Sequence, residues 1–513
     1  MPIAWAAPLA AALTFTSVAL PLVAPSVDVV PVHPSVAARG WVAFVAQDGK
    51  KRCEVSLWRV TRERAEGAFR QPCERADAFY NVIPAPDGTS AELVALGADG
   101  LTRVFPGPRA KLARQPTFAA VPPTVRSPGS NLWLAVPDPT APLRLAIPSF
   151  TEIAIWEREP PATGATEPTS HAEPSAREPE DERWRRVERY RIAVDARYNP
   201  RIGRDSLSPD FALLTHLRLP KWQIGRIATT TPAGLLYAVE NEVTGTRILD
   251  GDDPGDVFKV EKVLFPDDPE GNDPRLVRGN RIEDIDADGN LDIAMVAARG
   301  GITHLETAFD VWFGPLDESL QRAPDVRFRG TGAAVGTELV DVDGDHKLEA
   351  LRPRVEVSIA AFVRILLFGE VRIDYDLYDL IRGERDDVAP FCSFARNFPV
   401  DLEGLSAKSV PLFTTDGDFD GDGLRDVLTG EGTKGYAILR GRRSDPGRWC
   451  VAPGEATPIP VTRPEALTVH DLDGDAASDL IAVHGTGGKD STVEVLFADR
   501  TPGAPSLRAE PAH

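Results

Sequence analysis

The sequence predicts an all-β chain, and three observations carry that expectation. Of 513 residues, 46 are Pro and 42 are Gly, a turn-rich composition that favours short strands over long helices. Beyond residue 40 the apolar residues come in short runs broken by turn residues, with no sustained helical period. In the second half an acidic nine-residue loop recurs four times, at a spacing that leaves room for one small sheet per repeat.

The N-terminal segment is read first. From Ile3 to Ala24 the chain is apolar or small and carries no charge. It ends in Leu22-Val23-Ala24-Pro25, so residues 1–38 are expected to be a secretory leader or an uncleaved membrane anchor, although no Lys or Arg precedes the apolar run. Four cysteines fit export to an oxidising compartment. They allow three connectivities, and we favour Cys53–Cys73 with Cys392–Cys450 because these close the shorter loops.

The body is expected over residues 39–500. Trp41 to Val45, a turn at Gln47-Asp48-Gly49-Lys50, and Cys53 to Trp58 read as a hairpin. Further strand-like runs are Leu132 to Val136, Leu143 to Ile147, Arg189 to Val194 and Leu235 to Val239. Residues 157–183, rich in Pro, Glu, Thr and Ala, are expected to be a disordered insertion between two strands, and 501–513 a flexible tail. Residues 355–380 are apolar and aromatic with scattered charges; they fit ordinary strands, or an excursion facing a partner or membrane surface.

The acidic loops are DIDADGNLD (284–292), DVDGDHKLE (341–349), DFDGDGLRD (418–426) and DLDGDAASD (471–479). Their starts lie 57, 77 and 53 residues apart. Acids at positions one, three and five wrap oxygens around one point, position seven offers a backbone carbonyl, and a carboxylate at nine closes the set. Ca²⁺ wants such a shell of six to eight oxygens. Position six favours Gly for a sharp turn, which Gly289 and Gly423 meet and His346 and Ala476 do not. The loop at Asp418 therefore ranks first as a Ca²⁺ site and the loop at Asp284 second. An EF-hand is excluded because position twelve is Met295, Arg352, Thr429 or Ala482, none of which supplies its bidentate Glu.

A D-x-D-x-D-G-x-x-D loop between strands, repeated at this spacing, resembles the FG-GAP/VCBS-type repeats, which include the integrin α-chain head. The match covers about residues 275–490. The resemblance implies a β-propeller, commonly seven-bladed, with Ca²⁺ held in the loops. The positions it matches as ligands are Asp284, Asp286, Asp288, Asn290 and Asp292; Asp341, Asp343, Asp345 and Glu349; Asp418, Asp420, Asp422, Leu424 and Asp426; and Asp471, Asp473, Asp475 and Asp479. About 460 residues after the expected leader suit roughly seven blades of about 60 residues, and one closed ring is preferred because closure protects strand edges.

For function, 57 basic against 77 acidic side chains give a net charge of −20, which argues against a nucleic-acid partner. The eight histidines form no H-E-x-x-H, and no nucleophile elbow or phosphate loop is present. The preferred expectation is an exported, Ca²⁺-binding propeller without catalytic residues, acting in surface interaction or adhesion with a protein or polysaccharide. The alternative is a secreted propeller enzyme that acts on polysaccharide from a central funnel.

Overall fold

Most strands pair with a sequence neighbour, because turn residues follow the short apolar runs and antiparallel partners need only a tight connection. The structure is a computed structural model. It describes residues 13–24, 26–30, 32, 40–48, 52–73, 77–84, 91–97, 100–104, 112–115, 144–148, 152–158, 184–191, 224–225, 234–239, 242–247, 257–260, 277–288, 290, 292–301, 304–314, 323–331, 333–334, 337–355, 367, 369–383, 389–399, 413–430, 435–443, 448–461, 466–484 and 491–499. Among these, every named element is a strand, so the all-β expectation holds. The described strands form eight antiparallel sheets. In chain order the sheets span 26–73, 77–115, 144–191, 224–260, 277–331, 333–399, 413–459 and 466–498. We refer to them as the first to eighth sheets.

The eighth sheet also recruits Phe15–Ala24, which pairs antiparallel with Ser491–Ala498 and lies at the edge of that sheet. The strands Phe15–Ala24 and Ser26–Val30 fall within the 1–38 segment that the sequence presents as a leader or anchor. Val18, Leu20, Leu22 and Ala24 are buried while Ser17, Ala19 and Pro21 are exposed, the two-residue alternation of a half-buried strand. The next strand, Ser26–Val30, opens the first sheet, so the packed body begins before residue 39. The described strands form eight sheets where about seven units of about 60 residues were expected, and the first two sheets span fewer than 60 residues each.

The apolar cores lie between consecutive sheets. Phe44, Trp58 and Val60 of the first sheet pack with Leu20, Val483, Val495 and Phe497 of the eighth. Val45, Val55 and Leu57 pack with Val82, Ala91 and Leu93 of the second sheet. Equivalent clusters join the fifth to the sixth, the sixth to the seventh and the seventh to the eighth sheet. Between the second and third sheets, Arg158 bonds the fully buried Glu92 and the carbonyl of Pro84. Contacts thus run in chain order and return from the eighth sheet to the first.

Cys392 and Cys450 form a disulfide, as expected, with Cα atoms 5.4 Å apart. It ties the last strand of the sixth sheet, Cys392–Pro399, to the last strand of the seventh, Trp449–Ile459. Closing 58 residues of sequence restricts the unfolded chain, worth about 2–4 kcal/mol. Such a bond fits an oxidising compartment. The register sets Cys53 opposite Cys73, but their side chains lie outside the described residues.

The expected hairpin at 41–58 is present as Trp41–Asp48 paired with Arg52–Val60. The runs near 143, 189 and 235 are strands Arg144–Pro148, Trp184–Arg191 and Gly234–Val239. The run at 132–136, most of the expected insertion (159–183) and the tail fall outside the described residues. The ends of the insertion, Glu152–Arg158 and Trp184–Arg191, do pair with each other. Glu370–Tyr378 is a strand of the sixth sheet, which places part of 355–380 in the body. No helix of the described residues is long and apolar enough to cross a membrane.

Candidate metal loops

All four acidic loops join two paired strands at the start of a sheet, in the fifth to eighth sheets; in the sixth the short bridge strand Ala333–Ala334 comes before that pair. In each, position nine is the first residue of the second strand, opposite the last residue of the first: Glu283 with Asp292, Val340 with Glu349, Gly417 with Asp426, His470 with Asp479. The short strand that follows position nine also disposes of the EF-hand geometry, which calls for a helix there.

The loops share one internal hydrogen-bond scheme. The position-two amide donates to the position-nine carboxylate: Ile285 to Asp292 at 2.6 Å, Val342 to Glu349 at 3.1 Å, Phe419 to Asp426 at 2.8 Å and Leu472 to Asp479 at 2.8 Å. The other oxygen of Asp292, Asp426 and Asp479 accepts from the amides of Gly314, Gly441 and Ala498, near the end of the third strand. Position nine therefore fastens the loop to its own sheet. The position-two side chains Ile285, Val342, Phe419 and Leu472 are buried between sheets. That apolar position is visible in the sequence as Ile, Val, Phe, Leu, and the reading above did not use it.

Position one caps the turn. Asp418 accepts from the amides of Gly421, Asp422 and Gly423, and Asp341 and Asp471 accept similarly from positions four and six. Positions four and six take left-handed backbone: Gly344, Gly421 and Gly474 at four, and His346, Gly423 and Ala476 at six, with φ between 68° and 89°. In the first loop Ala287 at position four has φ 59°. The sharp turn expected at position six is thus preceded by a second one at position four. Non-Gly residues bear strain in both places.

Carboxylate oxygens converge within 4.8 Å of one another in four sets. They are Asp284, Asp286 and Asp292; Asp341, Asp343 and Asp345; Asp418, Asp420 and Asp426; and Asp471, Asp473 and Asp479. Of the other expected ligands, Asp288, Asp422 and Asp475 turn one oxygen to the amide two residues on. Glu349 is outside the set in its loop. Asn290 and Leu424 would contribute backbone carbonyls. The set at Asp418 is buried throughout.

Position three carries the plainest ligand signature. Asp286, Asp343 and Asp420 each keep one carboxylate oxygen, Oδ1, buried and without a hydrogen-bond partner. A buried unpaired carboxylate oxygen is costly unless a cation completes it. The electrostatics agree. Burial pushes Asp426 well above the usual carboxylate range, and the charges of Asp420 and Asp418 push the same way against amides that lower it. Burial likewise raises Asp418 to about 6, Asp292 to about 7, and Glu349 and Asp479 to about 8. Clustered carboxylates without a counter-ion hold protons; a divalent ion would replace them.

The loops are also joined to each other. The position-eight amide of one loop donates to a carbonyl of the preceding loop: Leu348 to Ile285, Arg425 to Val342 and Ser478 to Asp418, at 2.6–2.9 Å. An arginine approaches each position-three acid: Arg382 lies 3.7 Å from Asp286, Arg443 3.9 Å from Asp343, Arg440 3.4 Å from Asp420 and Arg62 2.5 Å from Asp473. Arg382, Arg443 and Arg62 all come from the following sheet, at the end of its third strand or in the turn after it. None was read from the sequence, because a lone Arg in a turn carries no local signal.

No family model and no curated protein matches the chain. Among solved structures, the polysaccharide lyase Uly1 is similar at 7% identity with a TM-score of 0.34, over 92% of this chain and 89% of that one. A lectin of Agrocybe aegerita, described by its recognition of non-reducing terminal N-acetylglucosamine, is similar at 14% identity with a TM-score of 0.19, over 53% of this chain and 79% of that one. Scores this low carry no argument about activity.

Proposed function

We propose that the chain is an exported, Ca²⁺-binding β-propeller of the FG-GAP/VCBS type, its eight sheets serving as blades and its face as a non-catalytic surface scaffold. The observation that carries the metal reading is the buried, partnerless Oδ1 of Asp286, Asp343 and Asp420. Oxygen-only ligand sets in flexible loops suit Ca²⁺ better than Mg²⁺, which demands a tighter octahedron. Support for the ring is the chain-order packing of the sheets and the N-terminal strand that completes the eighth. The disulfide supports export. A row of acidic loops, linked amide to carbonyl, makes one rigid edge suited to a protein or polysaccharide partner at a surface.

The test is a thermal melt in chelator, then with Ca²⁺ or Mg²⁺ restored. A ligand at 100-fold excess over Kd stabilises by about 2.7 kcal/mol per site, so the melting temperature should fall on chelation and recover with Ca²⁺ but poorly with Mg²⁺. Asp420→Asn should lose one bound ion. A melt indifferent to chelation would turn the loops into solvated turns. The scaffold reading is tested by incubation with candidate polysaccharides: Ca²⁺-dependent retention without new reducing ends is expected, and chain cleavage would favour an enzyme.

A further inference from the structure

An arginine approaches position three in every loop, but only in the fourth does it come within 3 Å of two loop carboxylates: Arg62, in the turn between the third and fourth strands of the first sheet, reaches Asp473 and Asp475. Its Nε donates to Asp473 Oδ2 at 2.5 Å, and Nη2 donates to Asp475 Oδ2 at 2.8 Å and to the Ala498 carbonyl at 2.6 Å. Nη1 donates to Asp499 Oδ1. All three guanidinium nitrogens are engaged, and the group lies 5.8 Å from the Phe497 ring centroid. The other oxygen of Asp473 accepts the Asp475 amide at 3.3 Å. Both oxygens of position three are therefore satisfied, whereas Asp286, Asp343 and Asp420 each keep one buried oxygen without a partner.

We infer that the Arg62 guanidinium is the resident cation of the fourth loop, so that this loop takes no metal ion and instead fastens the first sheet to the eighth. The inference rests on the reading of the other loops as Ca²⁺ sites. Asp471, Asp473 and Asp479 still bring oxygens within 4.8 Å of one another. An ion entering there would have to strip Asp473 from the guanidinium and leave that charge facing Asp475 and Asp499 alone. A planar fork with fixed donors suits three carboxylates spread along one edge, where a point cation would meet one cluster. The placement also matters: this is where the last sheet meets the first, and a covalently tethered cation cannot be chelated away from it. Gly40 lies at the same junction, just before the second strand of the first sheet: with φ +69° a Cβ there would run into the Val60 carbonyl oxygen and lie in ordinary contact, 3.5 Å, with the Leu472 carbonyl oxygen of the eighth sheet's loop.

The experiment counts ions bound per chain by equilibrium dialysis against Ca²⁺ for the wild type, Arg62→Met and Asp473→Asn, and records melts of each in chelator. The wild type and Asp473→Asn should bind the same number, Arg62→Met one more, and both variants should melt several degrees lower in chelator. Loss of one ion in Asp473→Asn, or no gain in Arg62→Met, would overturn the assignment. Should Arg62→Met fail to fold, Arg62→Lys keeps the charge without the fork; it should match the wild-type ion count and melt lower in chelator, and an unchanged melt would count against the inference. If no variant binds Ca²⁺, the metal reading of the other loops fails, and the chelator melts alone decide the role of Arg62.

Discussion

His346 shows how a single residue reports on its loop. It sits at position six with φ 68°, and its side chain is 87% exposed with only a 3.9 Å approach to Asp341. Left-handed backbone costs a residue with a Cβ about 1–2 kcal/mol, and Gly removes that strain while adding some unfolded-state entropy. His346→Gly is therefore expected to stabilise the protein by about 0.5–1 kcal/mol, read as a higher urea midpoint at unchanged slope. A lower midpoint would mean that the imidazole holds the loop. The acidic clusters were legible in the sequence because the candidate positions lie within nine residues; which of them converge was not, since position five stays out of the set in three loops and Glu349 at position nine in the second. Nor were the arginines: Arg62 meets Asp473 across 411 residues of sequence, and only the arrangement of sheets brings the two together.

Each loop, at the scale of a single element, is a turn fastened by its own carboxylates, and this makes its stability depend on pH. Asp292, Glu349 and Asp479 are raised by burial to about 7, 8 and 8, against ordinary values near 4 in the unfolded chain. Without an ion the folded chain keeps protons that the unfolded chain releases. Its stability is then fully present below about pH 4 and declines as pH rises toward about 8. In chelator the melting temperature should fall between pH 5 and pH 8. In saturating Ca²⁺ that fall should vanish or reverse, because the ion replaces the protons. Equal melts at both pH values in chelator would show that the carboxylates are better solvated than their burial implies. The strands themselves were legible where turns bracket alternating runs, as at 41–58. Phe15–Ala24 was not legible as a strand because the residues on its exposed side, Ala19 and Pro21 among them, are small and uncharged. Their lack of polarity hides the two-residue period and leaves an apolar run that a leader would also show.

For the whole molecule, the N-terminal strand and a leader removed after Ala24 exclude each other. Phe15–Ala24 covers the edge of Ser491–Ala498, and its Val18, Leu20 and Leu22 fill the core between the eighth and first sheets. Removing it would expose a row of unpaired backbone groups on a strand whose Val493, Val495 and Phe497 are now fully buried. It would also uncover three large apolar side chains, each worth about 1.5–3 kcal/mol when buried. A chain that begins at Ser26 is therefore expected to melt well below the full chain and to form dimers or larger species by sedimentation, as exposed edges seek partners. The exported protein should correspondingly retain the strand, so that N-terminal sequencing of native material begins before Phe15. A mature terminus after Ala24, on a monomer as stable as the full chain, would mean that the eighth sheet holds without this strand and that the edge at Ser491–Ala498 is covered by some other pairing.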